Sequence, residues 1–370
     1  MAEVVYLTEL DDTQLRELTV SLGEPEYRAK QLQHRVFQQF AISFEEMTDL
    51  PLPFRQKLSE TVNICTLSPA EENVSSDGTV KTLFSLKDAL TIESTLMSYL
   101  SPQGKTRYTV CLSTQVGCAV GCHFCATGRQ GFKRNLTTGE IVDQVLYYAR
   151  KLKEQEWEEV IKNEADRRLI TNLVFMGMGE PLVNYDALWE AVETLNSPRG
   201  FGLGARNMVI STSGLVPQIK RLSQEKIQIS LAVSLHSSID SVRDRLVPIN
   251  KKYPLAELIQ ACKDYIEATN RRVTFEYALF SGINDSLKDA RSLAHLIRGM
   301  NCHVNLIMAN RTENRDYYPP AYATVVEFEN ELKRLKINCT LRQKRGLDID
   351  SGCGQLRSRR VSGQKTLKLN

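Results

Sequence analysis

The chain has 370 residues, of which 42% are hydrophobic and 25% are charged, values that are ordinary for a soluble globular protein. They exclude the disordered, collagenous and low-complexity classes. Lys and Arg number 47 against 44 Asp and Glu, so a formal net charge of +3 restricts nucleic-acid binding to a local basic patch. The length predicts one large α/β domain and a smaller second unit.

The N-terminal segment shows no targeting signal. Its first twelve residues, MAEVVYLTELDD, are acidic and lack the basic segment followed by an apolar one that marks a secretory signal. No stretch of the sequence approaches the ~18 continuous apolar residues that a membrane-spanning helix needs. We therefore expect a cytoplasmic protein that does not bind a membrane.

Two helices are predicted within residues 11–40. Leucines recur at helical spacing after an Asp in a capping position, and Gly23 and Pro25 separate the two segments. A third short helix is predicted after the Pro turn, in residues 49–62. We therefore assign residues 1–75 to a small helical accessory domain.

Beyond this region the pattern changes to strands. Three segments between residues 81 and 114 are rich in β-branched residues and partly alternate, which is typical of antiparallel strands. From residue 138 onward, about six short apolar strands alternate with helices, a pattern that indicates βαβ units and a parallel sheet or barrel. The sequence thus predicts an α/β fold with a partial (βα)6 barrel in residues 76–345. Residues 346–370 form a C-terminal segment.

Three of the nine cysteines form a cluster, Cys118, Cys122 and Cys125, with the spacing C-x3-C-x2-C. The cluster follows a predicted strand and precedes a helix, which places it where α/β enzymes bind ligands. A tetrahedral zinc site normally has four ligands, whereas a cubane iron–sulfur cluster with three cysteines leaves one iron open. The spacing favours a [4Fe-4S] cluster, with structural zinc or a reactive thiol cluster as the alternatives.

An aromatic residue, Phe124, stands directly before the third cysteine, as in the radical S-adenosylmethionine (SAM) signature. With the segments around it, the sequence resembles the RlmN/Cfr family of radical-SAM ribosomal RNA methyltransferases. The segments that carry the resemblance are CATGRQGFKRNLTTGEIVDQVL, MGMGEPL, ISTSG, VSLH, PIN and RGLDIDSGCGQL. The resemblance extends from YRAK to Leu356 and implies a radical-SAM barrel that holds a [4Fe-4S] cluster and uses two SAM molecules per turnover.

The resemblance also implies a set of SAM-binding residues at the ends of predicted strands. Glycine there lets the backbone approach the cofactor, and Glu180 can accept hydrogen bonds from its ammonium group. The residues carried over are Gly179, Glu180, Ser211, Ser234, Leu235, His236 and Asn310. Asn310 departs from the family pattern, because no Pro follows it directly in VNLIMANRTENRDYYPP.

Catalysis is assigned to Glu93, Cys111 and Cys353 through the same resemblance. Cys353, which lies between two glycines, corresponds to the cysteine that is methylated by the first SAM and carries the methyl group. Cys111 matches the resolving cysteine, which ends in a disulfide bond with Cys353. Glu93 matches the position of a proton acceptor, and both Glu93 and Cys111 remain candidates for the base that removes the adenine proton.

The expected function is methylation of carbon 2 of an adenine in 23S rRNA, and some relatives also modify tRNA. The tail after Cys353 has five Lys or Arg residues and no acidic residue, so it is a candidate RNA contact. A one-electron reductant such as flavodoxin or ferredoxin is the second expected partner. Two alternatives remain: methylation of carbon 8 or of another RNA by a divergent paralogue, and an RNA-binding protein with a structural zinc.

Overall fold

The computed structural model describes residues 5–100, 106–162, 169–309, 316–343, 345–346 and 348–349; for residues 155–162 it describes the backbone only. Two predicted site residues, Asn310 and Cys353, lie outside the described residues, as does the basic C-terminal tail. In the described ranges, no helix has both the length and the apolar surface needed to cross a membrane.

The N-terminal region contains the three predicted helices: α1 (Asp12–Ser21), α2 (Tyr27–Phe37) and α3 (Leu52–Thr61). Asp11 starts α1 by accepting hydrogen bonds from the backbone N–H groups of the next turn, which have no partner within the helix. Two short strands, β1 (Val5–Tyr6) and β2 (Val62–Asn63), pair in parallel and join the two ends of this region.

The main sheet begins with antiparallel strands. These are β3 (Ser68–Val74), β4 (Val80–Ser85), β5 (Thr91–Leu100) and β6 (Thr106–Cys111). Two short strands, β7 (Gln115–Gly117) and β8 (Phe132–Asn135), form a separate antiparallel pair. β3 comes before the predicted domain boundary at residue 75 and lies at one edge of the sheet. The division of the chain at that residue remains a prediction.

The sheet continues in parallel from β6. The parallel strands are β9 (Asn172–Phe175), β10 (Met208–Thr212), β11 (Ser230–Ser234), β12 (Val273–Leu279), β13 (Cys302–Met308) and β14 (Cys339–Leu341). In the described part of the chain the sheet has ten strands, in the order β14-β13-β12-β11-β10-β9-β6-β5-β4-β3. The mixed sheet confirms the predicted change from antiparallel to parallel pairing.

Helices connect the parallel strands. They are α4 (Ala126–Arg129), α5 (Thr138–Lys162), α6 (Tyr185–Asn196), α7 (Val216–Leu222), α8 (Asp240–Leu246), α9 (Leu255–Thr269), α10 (Leu287–Leu296) and α11 (Tyr322–Arg334). Each of the strands β6 and β9–β13 is followed by a helix, so the described residues form the predicted partial (βα)6 barrel with β14 added. The sequence did not predict β3, the β7–β8 pair or α8.

The N-terminal region and the barrel share one hydrophobic core. A buried carboxylate on α5 reinforces the junction, because Asp143 Oδ2 accepts hydrogen bonds from the Thr8 hydroxyl at 3.1 Å and from the Thr66 backbone and hydroxyl at 2.6 Å each. Burial raises the pKa of Asp143, an effect that these donors oppose. The helical region is thus fixed to the barrel by both apolar and polar contacts.

Candidate active site

The three clustered cysteines lie in one loop between β7 and α4, at the carboxyl end of the sheet. The loop is tight: the Cys125 N–H donates to the Cys122 carbonyl at 3.1 Å, and the Cys118 N–H donates to the Gly131 carbonyl at 3.2 Å. A Cβ atom at Gly128 would lie 2.9 Å from the Cys122 carbonyl oxygen. Only glycine therefore allows α4 to begin so close to the second cysteine.

Phe124 anchors the cysteine loop to the barrel. Its ring packs edge-on against His236 with centroids 5.1 Å apart and against Phe280 at 5.0 Å. Tyr317 completes the aromatic group at 6.4 Å from Phe124. The aromatic residue of the motif thus fixes the position of the neighbouring cysteines by packing.

The loop closes one side of a cavity of about 330 Å³, which we call the cluster cavity. It is formed by residues at the carboxyl ends of the parallel strands, as the strand–helix pattern predicts. The structure brings eight predicted site residues to its lining: Cys118, Cys122, Cys125, Gly179, Glu180, Ser211, Ser234 and His236. Leu235 is fully buried and is not among the lining residues.

Glu180 is held firmly between two strand-end loops. Its Oε2 atom accepts hydrogen bonds from the Ser213 N–H and hydroxyl, both at 2.7 Å, and its Oε1 atom accepts one from the Leu182 N–H at 3.2 Å. Burial raises its pKa, and these donors act in the opposite direction. Gly179, directly before it, has a φ of +106°, and a Cβ there would meet Gln115 at 2.6 Å. The backbone turn that presents Glu180 therefore requires glycine.

His236 is neutral in the folded protein. Its Nδ1 atom accepts a hydrogen bond from the Ala278 N–H at 3.0 Å, so the proton of the ring is on Nε2. Burial, together with the positive charge of Arg243, lowers its pKa to about 3. This side chain can therefore donate a hydrogen bond into the cavity without carrying charge.

Arg243 was not predicted from the sequence, although its hydrogen bonds hold the strand ends that line the cluster cavity. This fully buried guanidinium donates to the carbonyls of Ser213 at 2.6 Å, Ser234 at 3.2 Å and Leu235 at 3.0 Å. It also donates to the Asn250 side chain at 2.7 Å. Arg243 therefore fixes the ends of β10 and β11. The PIN segment, which contains Asn250, was the available sequence signal for this arrangement.

A second cavity of about 240 Å³ adjoins the first, and we call it the thiol cavity. It is lined by the antiparallel strands β4 and β5 and by the end of β6, which contribute Lys81, Glu93 and Cys111. The two cavities share four lining residues: Met176, Gly177, Ile307 and Arg342. Two of the predicted catalytic residues thus lie next to the cavity that holds the cysteine loop.

Glu93 and Lys81 form a buried ion pair in the thiol cavity. The Lys81 Nζ atom is 2.6 Å from Glu93 Oε2, and the side chains are 1% and 3% exposed. Burial raises the pKa of the neighbouring Cys111 thiol, although the positive charges of Arg342 and Lys81 oppose this effect. Cys111 is therefore a protonated thiol at neutral pH in this environment.

The cysteine loop fits an iron–sulfur cluster. Burial raises the pKa of Cys118 to about 12 and that of Cys122 well above its ordinary value, so thiolates there need a cationic partner. No three His, Cys, Asp or Glu side chains of the described residues are placed to hold a single metal ion. The three cysteines line one cavity, and the cysteines of a [4Fe-4S] cluster each bind a different iron atom, so this set of thiols suits that group.

Two family models match the chain. The model of the Radical SAM superfamily matches residues 112–294, and that of the ribosomal RNA large subunit methyltransferase N-terminal domain matches residues 5–64. A protein of Staphylococcus aureus (strain JH9), “Probable dual-specificity RNA methyltransferase RlmN”, is 44% identical over 96% of this chain and 93% of its own length. The protein of the same name in strain MRSA252 matches equally well.

A solved structure supports the same relationship. The crystal structure of a radical SAM methyltransferase from Sphaerobacter thermophilus is 45% identical to this chain and has a TM-score of 0.88, covering 96% of this chain and 99% of that one. Fold, cysteine loop and matches together define a radical SAM methyltransferase. More particularly, the protein belongs to the RlmN family of radical SAM RNA methyltransferases. This confirms the resemblance and the fold predicted from the sequence, and membership implies a [4Fe-4S] cluster, SAM and an RNA substrate.

Proposed function

We propose that the protein methylates carbon 2 of an adenine in 23S rRNA, and of an adenine in tRNA, through an S-methylcysteine on Cys353. The observation that carries this proposal is the junction of the two cavities, which places Cys111 and Glu93 beside the cysteine-lined cavity. The S. aureus relatives are named probable dual-specificity RNA methyltransferases, which supports two RNA substrates.

The cluster cavity is the proposed site of the cofactors. Cys118, Cys122 and Cys125 would bind the cluster, and cavity residues at the strand ends would bind SAM. When bound, the cluster and SAM supply a 5′-deoxyadenosyl radical. The proposed SAM-binding residues are Gly179, Glu180, Ser211, Ser234, Leu235, His236 and Asn310. Five of them line the cavity, and Leu235 contributes through the strand end that Arg243 fixes.

The thiol cavity is the proposed site of the adenine. Cys353 carries the methyl group, and once a hydrogen atom has been removed its methylene carbon bonds to carbon 2. The adduct then has one unpaired electron, which the bound cluster would take back. Glu93 then removes the proton from that carbon. We assign this step to Glu93 rather than Cys111 because burial raises the pKa of the Cys111 thiol, whereas Glu93 is paired with the Lys81 ammonium.

Release of the product is assigned to the two cysteines. Cys111 forms a disulfide bond with Cys353 as the bond between the Cys353 sulfur and the methylene carbon breaks. That carbon keeps the electron pair and takes up a proton, which completes the methyl group on the base. An external reductant must then restore both thiols before the next turnover. A one-electron donor such as flavodoxin or ferredoxin would serve the cluster, and we infer a cytoplasmic location, where ribosomal RNA is available.

The rim of the thiol cavity offers a place for the RNA. The ring of Tyr99 contacts two guanidinium groups, those of Arg107 and Arg345, each 4.8 Å from the ring centre. Cationic and aromatic groups together bind phosphates and unstacked bases, and an adenine must leave the helix to reach a buried thiol. Residues 1–75 and the tail within residues 346–370 are the proposed further RNA contacts, and residues 76–345 the catalytic core.

The proposal is tested by mass spectrometry of ribosomal and transfer RNA from a deletion strain. We expect 2-methyladenosine to disappear on deletion and to return with the intact gene but not with Cys353→Ala. Appearance of 8-methyladenosine instead would move the target to carbon 8, and unchanged RNA would contradict the proposed substrates. A colourless purified protein without absorbance near 400 nm would favour a structural zinc protein.

A further inference from the structure

A carboxylate that the proposed mechanism does not use faces the cluster cavity. Glu276 lies on β12, lines this cavity and is 4% exposed. Its Oε1 atom accepts a hydrogen bond from the Asn305 side-chain N–H at 2.9 Å. Its Oε2 atom is buried and has no hydrogen-bond partner among the residues that the structure describes. An unpaired buried acceptor is costly and rare, so this atom points to a ligand in the cavity.

The orientation of this carboxylate is fixed by its neighbours on the sheet. Asn305 is the register partner of Glu276 on β13, and Thr340 is the partner of Asn305 on β14. The Thr340 hydroxyl donates to Asn305 Oδ1 at 3.1 Å, which turns the amide N–H group toward Glu276. Because Oε1 is held in this way, Oε2 remains available to a group in the cavity.

A serine hydroxyl lies beside the carboxylate on the opposite side. Ser234 is the register partner of Glu276 on β11, and both side chains line the cluster cavity. A carboxylate accepts hydrogen bonds, and a hydroxyl both donates and accepts them. The Glu276–Ser234 pair can therefore form hydrogen bonds with two adjacent hydroxyl groups, such as those of a ribose. Nucleotide-binding α/β proteins often bind ribose hydroxyls through a carboxylate.

The position of Glu276 along its strand separates it from the cysteines. Glu276, Ala278 and Phe280 alternate into the cavity, and Phe280 packs on Phe124 of the cysteine loop. Four residues of extended chain span about 13 Å, so Glu276 is far from the loop end of this row. A ligand bound at the cysteines through its amino-acid portion would leave its nucleoside portion for Glu276.

We propose that Glu276 binds the cofactor, with its Oε2 atom accepting a hydrogen bond from a ribose hydroxyl of S-adenosylmethionine. This inference rests on the proposed use of SAM in the cluster cavity. It adds a carboxylate to the residues implied by the family resemblance. The Oε2 atom of this carboxylate has no partner among the described residues, and the ribose would supply one. Asn305 is then a positioning residue, since it acts only by holding Oε1.

The alternative role of Glu276 is structural, as a counter-charge for Arg342. Arg342 lines both cavities, and its charge lowers the pKa of Glu276 while burial raises it. A structural role predicts loss of stability on substitution and no dependence on the ribose hydroxyls. The two roles are therefore separable by a binding experiment with a modified cofactor.

The test is isothermal titration calorimetry of the reconstituted, unreduced protein with SAM and with its 2′,3′-dideoxy analogue. Glu276→Met removes the acceptor, and Glu276→Gln keeps the hydrogen bond to Asn305. We expect Glu276→Met to raise the Kd for SAM about 10- to 100-fold, with a smaller rise for Glu276→Gln. The wild-type protein and Glu276→Met should bind the dideoxy analogue within about twofold of each other.

A matched control is Glu331→Met, which removes a carboxylate on α11 that is 8% exposed and lines neither cavity. Its Kd for SAM should equal that of the wild type. If Glu276→Met binds SAM as tightly as the wild type does, or loses as much affinity for the dideoxy analogue, the assignment is wrong. If the wild-type protein does not bind SAM, the proposed function fails together with this inference.

Discussion

The two adjoining cavities differ in the strands that form them and in the groups that hold their carboxylates. The cluster cavity is formed by loops at the ends of parallel strands, and its carboxylate Glu180 is held by neutral N–H and O–H donors. The thiol cavity is formed by the faces of antiparallel strands, and its carboxylate Glu93 is held by a lysine ammonium. The first arrangement leaves hydrogen-bonding groups free for a cofactor. The second keeps a charged group inside the protein next to a thiol.

This difference has an energetic consequence. A carboxylate that accepts hydrogen bonds from several neutral donors keeps the remaining hydrogen bonds when one donor is lost. An ion pair depends on both partners, and removing one leaves an uncompensated buried charge. The thiol cavity should therefore be the less tolerant of single substitutions, and the cluster cavity the more sensitive to loss of its cofactors.

The largest effect is expected from the cysteine loop. Cys122→Ala removes a proposed cluster ligand, so we expect loss of bound iron and a fall in methylation of more than about 100-fold. Iron content and the yield of methyladenosine check this. Cys302→Ala is the control, because Cys302 lines neither cavity. Full iron content in Cys122→Ala would remove this cysteine from the ligand set.

The next effect concerns the buried ion pair. Lys81→Met leaves the Glu93 carboxylate buried without its ammonium partner and should lower the free energy of unfolding by about 3–5 kcal/mol. The double variant Lys81→Met/Glu93→Gln should regain much of this loss, because a neutral amide then replaces the buried carboxylate. Urea denaturation measures both. A loss below about 1 kcal/mol in the single variant would show that the pair is not a dominant contact.

His236 makes the stability of the folded protein depend on pH. Its folded-state pKa is lowered to about 3, so the unfolded chain binds the proton first as the pH falls below about 6.5. Stability is therefore lost as the pH falls from this value toward 3. Between pH 7 and 5 the wild type should lose about 2 kcal/mol more than His236→Asn. Equal losses in the two proteins would mean that the histidine is protonated in the fold.

The smallest effect tests the neutral donors around Glu180. Ser213→Ala removes one hydroxyl donor, while the Ser213 N–H and the Leu182 N–H remain. We expect a loss of about 1–2 kcal/mol in unfolding free energy, clearly less than for Lys81→Met. Thermal and urea denaturation of both variants under the same conditions provide the comparison. A larger loss for Ser213→Ala would reverse our account of the two cavities.

The two cavities also differ in how far the sequence predicts them. The cysteine spacing, the glycines and the strand-end positions are local signals. The family resemblance assigned Gly179, Glu180 and His236 to the cofactor, and all three line the cluster cavity. Lys81 carries no such signal. It meets Glu93 only because β4 and β5 pair in a register that sets Lys81 opposite Thr95, diagonally from Glu93. Strand register depends on the whole sheet and cannot be read from one segment.

Arg243 and Glu276 were missed for a related reason. Arg243 is seven residues from Asn250 and thirty from Ser213, yet donates hydrogen bonds to both. Glu276 is recognisable only from its neighbours on adjacent strands and from an oxygen that has no partner in the described part of the chain. Arg243 lies in a charged helix, DSVRDRL, and Glu276 in an apolar strand, VTFEYAL. Neither setting predicts a buried charge, because burial of a charge requires partners that the fold supplies.

In the proposed mechanism the two cavities form one active site, and Cys111 releases the product from Cys353. The most direct measurement is mass spectrometry of the reconstituted Cys111→Ala variant after reaction with SAM, reductant and the substrate RNA. Our account predicts a covalent protein–RNA adduct on Cys353 and little free methylated RNA, while Cys302→Ala gives free product. Normal release of methyladenosine by Cys111→Ala, without an adduct, would contradict it.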